Sequence, residues 1–146
     1  MTEIGFYHLT RSTLAQALAP LLARTLAAGQ RALVLGPSPA GLDVLSAALW
    51  AQPTWLPHGT AADGDADLQP IWLSVEVDPL NGARYLFRID GASTDGIKGY
   101  DRVFDLFDGN DAPAVAAARV RWKTSKDAGH ALVYWRQTES SWQRKP

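Results

Sequence analysis

Hydrophobic and polar residues alternate along this chain in blocks that predict strands and helices in turn. Short apolar runs at 4–9 and 31–35 are typical of strands, and the second is of the buried, parallel type. Leucines recur at helical spacing over 14–28, where Pro20 is expected to kink or split the helix. A second helix is expected over about 42–51. This order, with tight connections, predicts an α/β fold with a largely parallel sheet flanked by helices.

The second half of the chain continues the alternation. Further strands are predicted at 71–77, 83–89, 102–107 and 131–135. Asn81 and Gly82 form a strong turn signal between the first two of these strands, and 60–69 has the composition of an exposed loop. A helix is expected to begin after a cap at Asp111 and to stop at Gly129.

The residues that follow the last predicted strand, 136–146, are polar and are expected to form a loose tail that Trp142 pins in part. We find no internal repeat and no linker long enough to separate two domains. Residues 1–146 are therefore expected to form a single domain.

Composition narrows the possible functions. The net charge of -1 means that bulk electrostatics does not draw the chain onto DNA or an anionic membrane. No apolar run reaches transmembrane length and the first residues lack the features of a signal peptide, so a cytoplasmic protein is expected. The absence of cysteine excludes disulfides, thiolate nucleophiles and thiolate metal sites. The one residue type that is unusually frequent is tryptophan, with 6 residues. Tryptophan is common in protein interfaces as well as in cores.

The turn at 36–41 lies where a phosphate-binding loop would lie, after a strand and before a helix. It matches neither Gly-x-Gly-x-x-Gly nor Gly-x-x-x-x-Gly-Lys-Ser/Thr, and its prolines remove amides that would point at a phosphate. We therefore expect a nucleotide-binding-like architecture without a nucleotide site, and no cofactor.

Other catalytic patterns are weak. The three histidines are far apart in sequence, at His8, His58 and His130. Each is interpreted as a satisfied or surface side chain, although a metal site built from distant segments stays open. Asp101 and Asp105 would share one face of a strand while Asp108 points away, and charges at a sheet edge explain them without a metal. No serine lies in a Gly-x-Ser-x-Gly elbow, so we expect no catalytic residues.

Two tryptophans and two prolines gather where the second helix ends, within 50–58. Trp50 and Trp55 could close the bottom of the core, or they could anchor a partner protein. The sequence favours the two interpretations about equally.

The most informative pattern is a stripe along the helix near the C-terminus, formed by Arg119, Trp122, Lys123 and Lys126. Their spacing places them on one helical face, which would normally be aliphatic and point into the core. Three cations around one aromatic ring instead suit an acidic peptide that ends in an aromatic residue or a carboxylate. We call these four residues the cationic stripe.

An alternative is that the cationic stripe is an ordinary solvated face. The residues buried against the core would then be those on the opposite side of the helix, namely Ala117, Val120, Thr124 and Ala128. Trp122 argues against this alternative, because a large ring among cations exposes apolar area unless something covers it.

Several stretches, taken in order, resemble the chi subunit of bacterial DNA polymerase III, a non-catalytic member of the clamp-loader assembly. The similar stretches are Gly-Phe-Tyr-His-Leu at 5–9, Leu-Trp at 49–50, Trp-Leu-Pro-His-Gly at 55–59, Arg-x-Arg-Trp-Lys at 119–123 and Ala-Gly-His at 128–130. The likeness covers nearly the whole chain, and 63–99 is its least similar part. The resemblance implies a replication accessory protein that has no nucleotide site and contacts DNA only indirectly.

The resemblance also implies two partner surfaces. Arg119, Trp122 and Lys123 match positions that grip the acidic C-terminal tail of single-stranded DNA-binding protein, with Trp122 standing where the family often has tyrosine. Lys126 extends this set by its spacing, whereas Val115 stands where some members have a further lysine.

The second implied surface holds the psi subunit, which ties chi to the clamp loader. Trp50 and Trp55 match its aromatic positions, and in some members the same surface binds a repair helicase. Two other functions stay open: a small α/β nucleotide-dependent transferase that uses 36–41, and a peptide-binding adaptor outside replication.

Overall fold

The structure, a computed structural model, describes residues 2–92, 96–138 and 142–145. The elements, in chain order, are β1 (Glu3–Leu9), α1 (Leu14–Ala27), β2 (Ala32–Leu35), α2 (Pro39–Trp50), β3 (His58–Thr60), β4 (Ile71–Ser74), β5 (Tyr85–Ile89), β6 (Arg102–Asp108), α3 (Ala112–Asp127), β7 (Ala131–Gln137) and β8 (Trp142–Lys145). Two short 3-10 turns, Ala66–Leu68 and Ile97–Gly99, lie in the connections.

The strands form one sheet in the order β3-β4-β2-β5-β6-β1-β7-β8. Every neighbouring pair is parallel except β7 and β8, which are antiparallel. Side chains of α1 and α2 pack against one face of the sheet, and those of α3 pack against the other. The predicted α/β fold with a largely parallel sheet flanked by helices is confirmed. No helix in the described residues is long and apolar enough to span a bilayer.

Helix α1 begins where the sequence predicts and is not split by Pro20. Thr13 caps its start: the hydroxyl accepts from the Gln16 amide at 3.2 Å, and the Gln16 side chain accepts from the Thr13 amide at 3.0 Å. Leu18 and Leu22, fully buried on either side of the proline, bind the helix to the sheet. Burial of this apolar face holds the helix together although Pro20 donates no backbone hydrogen bond.

The turn at Asn81 and Gly82 does not join neighbouring strands. β4 and β5 flank it in sequence, but β2 lies between them in the sheet. The buried Asn81 side chain donates to the carbonyls of Ala32 and Gln69 at 3.1 and 3.0 Å. The strand predicted at 71–77 ends earlier, at Ser74, and the crossover was decided by tertiary contacts.

The expectation of a loose C-terminal tail was wrong for residues 136–137 and 142–145, although the expected anchoring by Trp142 is confirmed. Arg136 and Gln137 complete β7, and Trp142–Lys145 forms the edge strand β8. The Trp142 ring meets Tyr7 edge-on, with ring centroids 5.2 Å apart. Apolar contact and strand pairing together outweigh the polar composition of the segment. Residues 139–141 and 146 of the predicted tail lie outside the described residues.

One buried charge cluster joins α3 to the sheet. Asp105 of β6 accepts two hydrogen bonds from Arg121 of α3, at 2.7 Å from Nε and 2.9 Å from Nη2. Arg88 of β5 lies on the other side, with Nη2 3.0 Å from an Asp105 carboxylate oxygen. Arg88 and Asp105 are 1% and 2% exposed. The interpretation of Asp105 as an edge charge was wrong, because β6 is a central strand and Asp105 is a structural counter-ion.

Removing the Asp105 charge should therefore destabilise the fold strongly. Asp105→Asn leaves two buried guanidinium groups without their counter-ion, and we expect the free energy of unfolding to fall by about 3–5 kcal/mol. Urea denaturation followed by circular dichroism measures this change. Asp101→Asn is the matched control, because Asp101 pairs with Arg84 in solvent and should change stability little. Equal stability of the two variants would contradict this account of the cluster.

Candidate functional site

The buried face of α3 carries polar as well as apolar side chains, unlike that of a simple amphipathic helix. Ala118, Arg121 and Ser125 are buried against the sheet, and Trp122 is half-buried beside them. Arg121, which lies within the predicted binding motif, therefore faces inward and is structural. In the cationic stripe, Trp122 meets Tyr134 of β7 and the three cations are exposed.

The alternative in which the opposite side of α3 is buried was wrong. The residues expected to be covered are all exposed: Ala117, Val120, Thr124 and Ala128. Val120 is 66% exposed, because the bidentate contact between Arg121 and Asp105 turns that side of the helix away from the sheet.

Trp122 joins the cationic stripe to the core. Its ring meets Phe6 and Tyr134 edge-on, with centroid distances of 5.2 and 5.8 Å. Phe6 lies on β1, and Tyr134 is the residue paired with it on the parallel strand β7. The ring is thus held at a fixed angle, with part of its surface left open to solvent. A ring held in this way offers a rigid apolar wall to a ligand.

The cations of the stripe are exposed and have no acidic partner among the described residues. Arg119, Lys123 and Lys126 all lie in solvent, and the ion pairs of the described chain involve other residues. Exposed cations without a carboxylate partner keep their full charge for an anionic ligand, subject to screening by salt.

The stripe has a neighbour that sequence reasoning missed. His8 of β1 and Tyr134 of β7 are joined by a hydrogen bond of 2.5 Å between Nδ1 and the phenolic oxygen. Arg136, two residues beyond Tyr134 and exposed, lies opposite His8 in the register of the two strands. The alternation of side chains along β7 could have indicated that Tyr134 and Arg136 share a face. That this face lies beside α3 could not be read from the sequence.

Electrostatics connects this pair with the stripe. Burial lowers the pKa of His8 below its usual value, and the charges of Arg136 and Arg119 lower it further, while a Gly109 backbone hydrogen bond and Asp108 act in the opposite direction. Burial raises the pKa of Tyr134, and the same two arginines oppose that shift. The positive charges of Arg119 on α3 and Arg136 on β7 therefore both lie close enough to His8 and Tyr134 to lower their pKa values.

The second predicted surface lies at the other end of the sheet. Trp50 and Trp55 are 49% and 75% exposed, and their ring centroids are 5.6 Å apart. Trp50 stacks on the buried His58 ring with centroids 4.2 Å apart, and His58 is held by Ser46 at 2.8 Å. Neither tryptophan closes the core, so the core interpretation of this pair was wrong.

The turn at 36–41 has few amides left for a phosphate. The Ser38 hydroxyl caps α2 by accepting from the Gly41 amide at 3.1 Å, and the Gly36 amide donates to the Ser74 carbonyl at 3.0 Å. Pro39 occupies the first turn of α2. The Gly36 and Gly41 amides are therefore engaged within the protein, and the absence of a nucleotide site stays a prediction.

The predicted metal candidates are separate in space. Asp101 pairs with Arg84, and Asp108 accepts from the Asn110 amide at 2.9 Å. His58 is buried and hydrogen-bonded, which matches its interpretation as a satisfied histidine. Within residues 2–92, 96–138 and 142–145, no group of three or more acidic or histidine side chains is placed to hold a metal ion.

The exposure of Trp55 predicts that it contributes little to stability. Trp55→Ala should change the free energy of unfolding by less than about 0.5 kcal/mol, as surface substitutions do. Trp72→Ala is the matched comparison, because Trp72 of β4 is only 4% exposed and its loss should cost about 3–5 kcal/mol. Chemical denaturation of both variants tests the assignment, and a large loss for Trp55→Ala would place that ring in the core.

Comparison with known families identifies the chain. Residues 1–133 match the family described as DNA polymerase III chi subunit, HolC. The match covers most of the 146 residues, including α3 and the tryptophan pair, and the chain belongs to this family. It is thereby an accessory subunit of the replicative DNA polymerase III. No curated protein matches the chain significantly.

Proposed function

We propose that this member of the chi family links single-stranded DNA-binding protein to the clamp loader through two protein surfaces. The cationic stripe binds the acidic C-terminal tail of single-stranded DNA-binding protein. Trp50 and Trp55 hold the psi subunit, or a repair helicase in its place. Contact with DNA is indirect, and the chain carries no catalytic residues of its own.

The observation that carries the first half of this proposal is the arrangement of Arg119, Lys123 and Lys126 around Trp122. The three cations are exposed and unpaired among the described residues, and the ring between them is fixed by Phe6 and Tyr134. An acidic peptide supplies the missing negative charges. A terminal aromatic side chain supplies an apolar surface for the open part of the Trp122 ring.

The chemistry of each cation predicts its share of the binding energy. Arg119 can donate two parallel hydrogen bonds to one carboxylate, whereas the lysines act as point charges on flexible stems. Exposed charge pairs are individually weak, so micromolar affinity is expected, with marked weakening above about 0.15 M salt.

Arg119→Ala should therefore weaken binding of an aspartate-rich peptide with an aromatic C-terminus by about 2 kcal/mol, against less than about 1 kcal/mol for Lys126→Ala. Isothermal titration calorimetry with the synthetic peptide measures both values. Arg144→Ala is a control for the loss of one exposed positive charge on the opposite face of the sheet. Arg144 is paired with Trp135, and the Trp135 ring packs on the face that α1 and α2 cover. Parent-like binding by Arg119→Ala would remove the stripe as the peptide site.

Exposure of the tryptophan pair supports the second half of the proposal. Aromatic rings that are exposed in the free subunit and adjoin a rigid element are typical anchors of protein interfaces. Trp50 is fixed by stacking on His58, and Trp55 projects further into solvent. A helix or loop of the partner would therefore meet the fixed ring of Trp50 and the more exposed ring of Trp55.

Trp55→Ala should weaken the complex with psi by about 2 kcal/mol or more without loss of stability. Surface plasmon resonance with immobilised psi measures the affinity, and thermal melting checks the fold. Val44→Ala is a suitable control, since Val44 is an exposed apolar residue, 72% exposed, on the same helix as Trp50. An unchanged affinity for Trp55→Ala would separate the psi surface from this pair.

Two rival functions make different predictions. A nucleotide-dependent transferase that uses 36–41 requires a thermal shift with a nucleotide, and turnover that is lost when Ser38 is changed. A peptide-binding adaptor outside replication shares the stripe but would not co-purify with clamp-loader subunits from its own cell. Membership of the chi family favours the replication role over both.

A further inference from the structure

The α3 helix supplies only one side of the space beside the cationic stripe. The other side is β7, where Tyr134 and Arg136 face the same way because they are two residues apart in a strand. Tyr134 meets the Trp122 ring edge-on at 5.8 Å, so helix and strand touch at this point. Like the stripe cations, Arg136 is exposed and has no acidic partner among the described residues.

We propose that the acidic peptide is held from two sides, by the cationic stripe on α3 and by Arg136 on β7, with the Tyr134 hydroxyl between them under the control of His8. This inference rests on the proposed peptide-binding function and adds three residues to that site. None of the three lies on α3.

The position of His8 decides what the Tyr134 hydroxyl can do. The Nδ1 atom of His8 lies 2.5 Å from that hydroxyl, while the opposite edge of the ring lies against Gly109. A β-carbon added at Gly109 would stand 2.1 Å from Nε2, so only glycine permits this approach. We assign the proton of the neutral ring to Nε2, the nitrogen that is turned toward the Gly109 backbone. In neutral His8 the Nδ1 atom is then the acceptor, and the Tyr134 hydroxyl donates to it.

Protonation of His8 reverses this hydrogen bond. Protonated Nδ1 donates to the Tyr134 oxygen, and the phenolic hydrogen becomes free to donate to a carboxylate of the peptide. The imidazolium also adds a positive charge to the site. Both changes favour an anionic ligand, and the ligand in turn favours the protonated ring.

The charged and titratable groups that face His8 fix the direction of the pH effect. Arg136 and Tyr134 approach it from β7, Arg119 from α3, and Asp108 from the end of β6. Burial and the two arginines keep His8 neutral near neutral pH in the free protein. A bound acidic peptide offsets the arginine charges and raises the pKa of His8. Affinity should therefore rise as the pH falls through the range of this titration and be constant above it.

The test is a peptide titration across about pH 5.5 to 8 at constant ionic strength. For the parent protein we expect affinity to increase about threefold to tenfold toward the acidic end, since a one-unit pKa shift corresponds to tenfold. His8→Gln should give a flat profile, because glutamine still hydrogen-bonds Tyr134 but does not titrate. Tyr134→Phe keeps the ring packing and loses the hydroxyl, so its pH response should be reduced. Parent-like pH profiles in both variants would overturn the role of this pair.

Arg136→Ala tests the second side of the site, with Arg144→Ala as the control of equal charge on the other face of the sheet. We expect Arg136→Ala to weaken peptide binding about tenfold and Arg144→Ala to have little effect. If Arg119→Ala weakens binding and Arg136→Ala does not, the inference fails while the proposed function stands. If neither arginine matters, the proposed function itself fails.

A direct readout is the proton resonance of the His8 ring. Its pKa should rise by about one unit when the peptide is added. A pKa for His8 that does not change with saturating peptide would also overturn the proposal.

Discussion

The buried carboxylate of Asp105 is the contact on which the functional surface depends. It lies in a central strand and accepts two hydrogen bonds from Arg121, so it fixes the rotation of α3 about its own axis. It also lies 3.0 Å from Nη2 of Arg88 as an ion pair, although the side-chain nitrogens of Arg88 make no well-directed hydrogen bond in the described structure. Two guanidinium groups share one carboxylate in a water-poor region, and burial accordingly lowers the pKa of Arg88. Such a cluster specifies geometry even where its net stabilisation is small.

The rotation of α3 divides the cations of one short motif between two roles. Arg121 points inward to Asp105, while Arg119 and Lys123, two residues to either side, point outward. Trp122 lies at the boundary, packed on Phe6 and partly open. A helix rotated by one residue in either direction would take Arg121 away from Asp105, and in one direction it would bury Arg119 in the place of Ala118. The same ion pair therefore supports the fold and orients the proposed peptide site.

The two proposed surfaces lie far apart on the sheet. The tryptophan pair adjoins β3 at one edge, and the stripe lies beside β7 near the other. Six strand spacings separate β3 from β7, which at about 4.8 Å each is roughly 30 Å. Two partners at these surfaces would not compete for space. A rigid parallel sheet between them suits a subunit that connects two proteins and keeps them at a fixed separation.

The sequence by itself determined the α/β class, the family and most of the strand and helix order, because these follow from local periodicity, caps and motifs along the chain. It missed the short strand β3 and the edge strand β8. It also selected the cationic stripe as a surface feature, although its alternative for the buried side of α3 was wrong, and it left Trp55 undecided between core and surface until the structure showed that ring exposed. Tertiary structure decided what periodicity cannot encode. It placed β2 between β4 and β5, made the C-terminal tail an edge strand, and brought Arg88, Asp105 and Arg121 from separate elements into one cluster. These contacts join residues distant in sequence, and no local pattern specifies which distant residue will supply the partner charge, strand or ring.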